Sequence, residues 1–330
     1  MLKKSSVLKN GIVINLILFL FSLWGSCVFA EIFLRVFPLK DDLYYKELEW
    51  NHLGTPDLTK MFNRLYVYDE ELGYEKKDVY EQIKNVLRDD PSRYKILVLG
   101  DSISQWGKYV DYFDELLETR YHGKIKVVNA GVMGYDTELE YRYLKYRGMD
   151  LKPDLVILQF CVNDFRGTPL IIKQEDGSWL ALNGNKKIDR WLDPKLMAAS
   201  KFYEAIALRA LWFSSRKKDG SGIVKEPLCK IKKMLAEKNI PLYVVIFPLL
   251  EEGEDENNAH GKMIAALREL QLSSQAIDLL PYYSRVPFGT IRKDFIHPNE
   301  KGDKIAAEAL MEKIGPFLER RLALNKRKAE

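Results

Sequence analysis

One strand limits the architectures open to this chain. From Tyr94 to Trp106 the sequence reads YKILVLGDSISQW, with Ile96, Leu97, Val98 and Leu99 consecutively apolar. A strand with one face in water alternates apolar with polar residues, whereas an unbroken apolar run belongs to a strand buried on both faces. Such a strand needs a covering layer on each side, and helices supply it in α/β folds. Gly100 then breaks the run, so Asp101 and Ser102 fall at the carboxyl end, the edge where open α/β sheets bind ligands. Gly-Asp-Ser is also common turn chemistry, so a role for Ser102 depends on the rest of the chain.

The same punctuation recurs downstream. Ile125–Asn129, Leu155–Phe160, Leu242–Phe247 and Ala276–Leu279 read as further strands. The apolar period of Tyr109, Phe113, Leu116 and Leu117 predicts a helix after the first strand. Thr137 to Glu140 has a capping-box pattern, predicting a helix to about Met149. Further helices are predicted over 225–238 and 259–272, and from about Asn299, with Pro316 kinking or ending the first part of the last one. Strands alternating with helices imply a parallel sheet with helices on both faces. Residues 165–222 interrupt this pattern as an insertion. Within it Leu170–Lys173 and Trp179–Leu182 flank Asp176-Gly177 as a hairpin, and a helix runs from about Ser200 to Arg216. Residues 39–93 are polar and aromatic and are expected to pack on the core as an N-terminal extension. The main domain is expected over 94–320, and 321–330 as a basic tail.

The N-terminus carries a separate signal. Gly11 to Ala30 is almost wholly apolar, with Asn15 its one strongly polar side chain, and roughly 20 such residues span a bilayer. Lys3, Lys4 and Lys9 precede it, which favours a cytoplasmic N-terminus and an extracytoplasmic domain. Val28-Phe29-Ala30 also serves as a cleavage site, so a secreted product is the alternative. The retained anchor, residues 1–38 with their cytoplasmic stub, is the favoured expectation. The run is longer than a usual signal core, and Ile32, Phe33, Leu34, Val36 and Phe37 extend it.

Several classes drop out. Lys and Arg number 51 against 47 acidic residues in 330, a net +4, and no basic stripe is interleaved with aromatics. A nucleic-acid partner is therefore not expected. Cys27, Cys161 and Cys229 have no spacing that demands a bridge. His52, His122, His260 and His297 lie scattered and away from the cysteines, which gives no metal-ligand cluster. Cys161 reads as a small core residue, and Glu251, Glu252, Glu254, Asp255 and Glu256 as a solvated loop or a rim of the site.

Three stretches can join Ser102 at the carboxyl edge: Asn129-Ala130-Gly131-Val132-Met133-Gly134, Cys161-Val162-Asn163-Asp164, and Asp294-Phe295-Ile296-His297-Pro298. A serine hydroxyl needs a base within hydrogen-bond reach to act as a nucleophile. His297 can be that base, and Asp294, three residues earlier, can hold its other ring nitrogen. The amides of Ser102 and Gly131 and the side chain of Asn163 can supply oxyanion donors. Asp101 and Asp164 read as structural, bonded to backbone or to neighbouring loops.

These four blocks, GDS at 100–102, the Gly131 loop, Asn163-Asp164 and DFIH at 294–297, resemble those of the SGNH (GDSL-like) hydrolase family, over about residues 94–320. Cys161 departs from the pattern, standing where the third block usually has glycine. The resemblance implies a three-layer α/β/α sandwich with a flavodoxin-like parallel sheet, and ester hydrolysis without metal or organic cofactor. It matches Ser102, Gly131, Asn163 and His297 to the four named positions, with Asp294 in support. The expected function is a membrane-anchored extracytoplasmic serine ester hydrolase working through an acyl-enzyme. An O-acyltransferase or deacylase of cell-envelope glycans would use the same residues. A catalytically silent glycan-binding or assembly module is the third reading.

Overall fold

The computed structural model describes residues 3–37, 64–89, 92–166, 169–173, 179–183, 193–215, 221–250 and 259–329. The chain opens with a long helix, α1 (Lys3–Val36), followed by a hairpin of β1 (Tyr66–Asp69) and β2 (Gly73–Lys76) and by α2 (Val79–Asp89). Next come β3 (Tyr94–Leu99), α3 (Ser102–Trp106), α4 (Tyr109–Tyr121), β4 (Ile125–Asn129), α5 (Thr137–Tyr146) and β5 (Leu155–Phe160). A second hairpin, β6 (Pro169–Lys173) and β7 (Trp179–Asn183), leads to α6 (Pro194–Ala199) and α7 (Lys201–Ser215). The chain then forms α8 (Ser221–Glu237), β8 (Leu242–Ile246), α9 (Ala259–Glu269), β9 (Ala276–Asp278), α10 (Leu280–Tyr283) and α11 (Glu300–Ala329). Two compact units result, one of residues 1–61 with 169–218 and one of 62–168 with 219–330.

The larger unit is built on a five-stranded parallel sheet in the order β4-β3-β5-β8-β9. The first strand of this sheet thus lies between the second and the third. The chain leaves β3 in one direction and returns on its other side, which opens a crevice at the carboxyl ends of β3 and β5. Ser102 immediately follows β3. Every residue of β5 is buried, as an unbroken apolar run requires. Ile96, Val98 and Ile157 share a core with Phe113 and Leu117 of α4 and Leu310, Ile314 and Leu318 of α11. Successive strand residues point to opposite faces, so Leu97, Leu99 and Leu158 turn to the other side, where Leu139, Leu144, Leu228 and Ile231 of α5 and α8 are also buried. This is a three-layer α/β/α sandwich.

The structure departs from the sequence expectations in two helices, α5 and α11. Asp136, not Thr137, caps α5, its carboxylate accepting the Leu139 N–H at 3.0 Å, and the helix ends at Tyr146 before a 3-10 turn over Gly148–Leu151. Glu140 is consequently no capping partner but a buried carboxyl. Pro316 does not end the last helix. Although an interior proline costs about 3 kcal/mol, Ile314 and Leu318 on either side of it are fully buried, and the Tyr121 hydroxyl donates to the Gly315 carbonyl at 3.1 Å. Packing therefore carries α11 through to Ala329. The helix expected over 200–216 is α7 (Lys201–Ser215), which the short α6 precedes across Ser200. In the smaller unit Glu31 of α1 accepts from the Ser200 hydroxyl (2.9 Å) and the Phe202 N–H (2.9 Å), while Arg35 donates to the Ala199 carbonyl (2.9 Å).

In the larger unit the β1–β2 hairpin grips the glycine loop after β4. The Tyr74 hydroxyl donates to Met133 O at 2.7 Å, and the Tyr135 hydroxyl donates back to Tyr74 O at 2.6 Å. Arg147, beyond α5, pairs with Asp69 and Glu75 of the hairpin. Cys161 is buried in the core and Cys229 exposed, and neither is in a disulfide.

Candidate active site

The site begins with how α3 starts. Asp101 caps that helix by accepting the Ile103 N–H at 2.8 Å, which fixes Ser102 as its first residue. Ser102 is nearly buried, at 7% exposure, and its Oγ lies 2.8 Å from Nε2 of His297. On the far side of that ring, Nδ1 lies 2.8 Å from Asp294 Oδ2 and 3.1 Å from Oδ1. One carboxylate thus orients the ring that meets the serine, an arrangement that leaves Nε2 free to accept a proton when Nδ1 carries one.

The turn bearing Asp294 and His297 is held tightly. Asp294 Oδ1 also accepts the Ile296 and His297 N–H groups at 2.8 and 2.7 Å. Lys293 N–H donates to His297 O, Asn299 N–H to Ile291 O, and Leu250 N–H to Phe295 O. Asn299 then caps α11, accepting from Lys301 and Gly302. Burial alone would raise the Asp294 carboxyl, but these N–H groups and the His297 ring outweigh it and hold it below its usual range. Asp294 therefore stays anionic at neutral pH.

Of the expected oxyanion donors, the Ser102 N–H sits at the start of α3. The Gly131 N–H is donated to Asn129 Oδ1 at 2.9 Å, so it reaches an oxyanion only by releasing that bond. Gly131 itself is enforced by close approach, since a Cβ there would lie 2.5 Å from Ser104 Cβ. Asn163 follows β5 in a 3-10 turn over Val162–Arg166, and its side chain lies outside the described residues, as does the acidic stretch 251–256. Asp164 braces this turn, accepting the Cys161 N–H at 2.9 Å and the Thr137 hydroxyl at 3.3 Å. Burial, reinforced by Asp101, pushes the Asp164 carboxyl well up; burial and Asp164 do the same to Glu140.

Sequence reasoning missed the supports. Gln159 Oε1 accepts the Asp101 N–H at 3.0 Å and the Ser104 hydroxyl at 2.9 Å, tying β5 to the serine turn. Its signal was available: it is the one polar residue in the buried run LVILQF. Asn129 donates to Ser104 O at 2.7 Å. Asp303 on α11 accepts the Lys108 N–H at 2.9 Å, joining the helix behind His297 to the segment after α3. Trp106, 45% exposed, lies with its ring centroid 6.2 Å from that of His297, and Phe295 is 48% exposed on the histidine turn.

The sequence profile of the GDSL-like lipase/acylhydrolase family matches residues 98–305, a span holding Ser102, Gly131, Asn163, Asp294 and His297. No curated protein matches the chain. Among solved structures, an acetyl xylan esterase superposes with a TM-score of 0.46 at 17% identity, covering 67% of this chain and 99% of its own. An acetyl xylan esterase from Geobacillus stearothermophilus gives 0.42 at 18% identity, covering 68% and 95%. The lipase/acylhydrolase from Enterococcus faecalis gives 0.42 at 18% identity, covering 67% and 94%.

Proposed function

Because the chain belongs to the GDSL-like lipase/acylhydrolase family, and is thereby a carboxylic ester hydrolase, we propose that it works through an acyl-enzyme on Ser102. The observation that carries this reading is the contact of Ser102 Oγ with His297 Nε2 at 2.8 Å. In the proposed sequence His297 takes the hydroxyl proton as Oγ bonds to the ester carbonyl carbon. The imidazolium is steadied by Asp294 and returns the proton to the departing alcohol. Water then attacks the acyl-enzyme with His297 again as base, releasing the acid and regenerating the hydroxyl. The oxyanion is met by the Ser102 amide and by Asn163, with Gly131 joining once its bond to Asn129 opens.

Two further parts rest on separate observations. Val13–Val36 is apolar enough to cross a membrane and none of it is buried. With the lysines that precede it, this supports an anchor with the catalytic unit on the extracytoplasmic side. Trp106 and Phe295 flank His297 as half-exposed aromatic faces, surfaces suited to the apolar face of a sugar ring. They favour an acylated glycan as the ester, and a glycan hydroxyl as an acceptor in place of water. A panel of p-nitrophenyl esters of increasing chain length, run with and without oligosaccharide acceptors, tests the reading. Turnover abolished by Ser102→Ala is the expected result; a Ser102→Ala variant with undiminished turnover would overturn it.

A further inference from the structure

A cavity of the catalytic unit lies at the opposite edge of the sheet from Ser102. It has a volume of about 830 Å³ and opens where the chain enters β3, β4 and β5. Six residues of β3 separate the two sites, roughly 20 Å at the rise of a strand, so one small substrate cannot touch both.

The lining is strongly basic. Arg93, Lys95, Arg120, Lys124 and Lys152 face it against only Asp154 and Glu319. Five positive charges less two negative leave +3, set against +4 for the whole chain. Both acids are committed: Glu319 pairs with Arg120, and Asp154 accepts the Lys95 backbone N–H at 2.8 Å. The cations come from separate loops, Lys124 before β4 and Lys152 before β5, the latter in a left-handed conformation with φ of 51°. An anion bound among them would be attracted by each.

From this we infer an anion-binding site for a phosphate ester. A carboxylate presents two oxygens in one plane and a single charge. A phosphate monoester brings about −1.5 to −2 charge and three acceptor oxygens in different directions, which suits cations converging from several loops. The ligand is a phosphorylated small molecule or the monoester phosphate of a lipid headgroup. The site is independent of the ester chemistry.

The test is calorimetric titration of the full chain in neutral maltoside micelles with three probes: glycerol 1-phosphate, dihexanoyl phosphatidic acid below its micellar concentration, and sodium polygalacturonate. Saturable binding of either phosphate probe, weakened roughly tenfold or more in the Lys124→Glu, Lys152→Glu double variant but not in Lys304→Glu, is expected. Whichever phosphate probe binds more tightly identifies the source as soluble or lipid. Thermal melts establish that the double variant is folded. Should it not fold, Lys124→Gln, Lys152→Gln replaces it with the same expected weakening. No saturable phosphate binding, equal binding by both variants, or binding of polygalacturonate alone would overturn the inference.

Discussion

His297 meets Ser102 with Nε2 and Asp294 with Nδ1, so the three residues differ in what their loss should do. His297→Ala removes the base and is expected to lower kcat about as far as Ser102→Ala, on the order of 10⁵–10⁶-fold. Asp294→Asn leaves a base but misdirects its tautomer, and a loss nearer 10⁴-fold is expected, about the scale of an orienting carboxylate. Steady-state kinetics on one activated ester compare them, and equal losses would deny Asp294 an orienting role. Trp106→Ala should raise KM for an acylated oligosaccharide while kcat falls less, with Trp106→Tyr restoring much of the binding; a loss confined to kcat would exclude a binding face. The contact of Asp294 with His297 was legible in the sequence because the two lie three residues apart on one turn, whereas Ser102, 195 residues from His297, is brought to it only by the fold. The commitment of the Gly131 N–H to Asn129 was not legible, since an Asx bond two residues away leaves no trace in residue type.

Elements hold the trio together through groups that never meet substrate. Gln159 of β5 is the bond between two strands' worth of machinery, and Gln159→Leu leaves the Asp101 N–H without its acceptor in a buried turn. A loss of about 2–3 kcal/mol is expected by urea unfolding, together with lowered kcat; unchanged stability would mean the turn stands without it. Asp303 ties α11 to the segment after α3 and is buried. Burial, above all, raises its carboxyl from 3.8 to about 6. Its contribution to stability is therefore complete below pH 3.8 and fades as the pH rises through 6. Asp303→Asn should gain on the wild type between pH 4 and pH 8 by on the order of 2 kcal/mol; a gap independent of pH would contradict the buried carboxyl. The strands were legible from their unbroken apolar runs. Helix ends were less so: the cap at Asp136 is a local bond hidden beside the competing Thr137–Glu140 pattern, and the passage through Pro316 was decided by packing and by the Tyr121 hydroxyl. Asp303 sits in an ordinary polar helix start, and only the fold brings it to Lys108.

The assembled chain adds features that no single stretch carries. Basic residues at 93, 95, 120, 124 and 152 look evenly scattered along the sequence, and the parallel sheet gathers them because each loop entering a strand arrives at the same edge. The apolar N-terminal helix is the reverse case, readable from composition alone, and its fate is a matter of processing. N-terminal sequencing of the mature protein should begin before Gly11, and protease added outside spheroplasts should digest residues beyond the anchor; a chain starting at Glu31 would mean a cleaved signal. The reading as a whole stands on an activated Ser102. Its most direct measurement is mass spectrometric mapping of the chain after reaction with a fluorophosphonate, which modifies only a serine whose hydroxyl is activated. The expected result is one adduct, on Ser102, absent in His297→Ala. An adduct on another serine, or none on the folded wild-type protein, would contradict it.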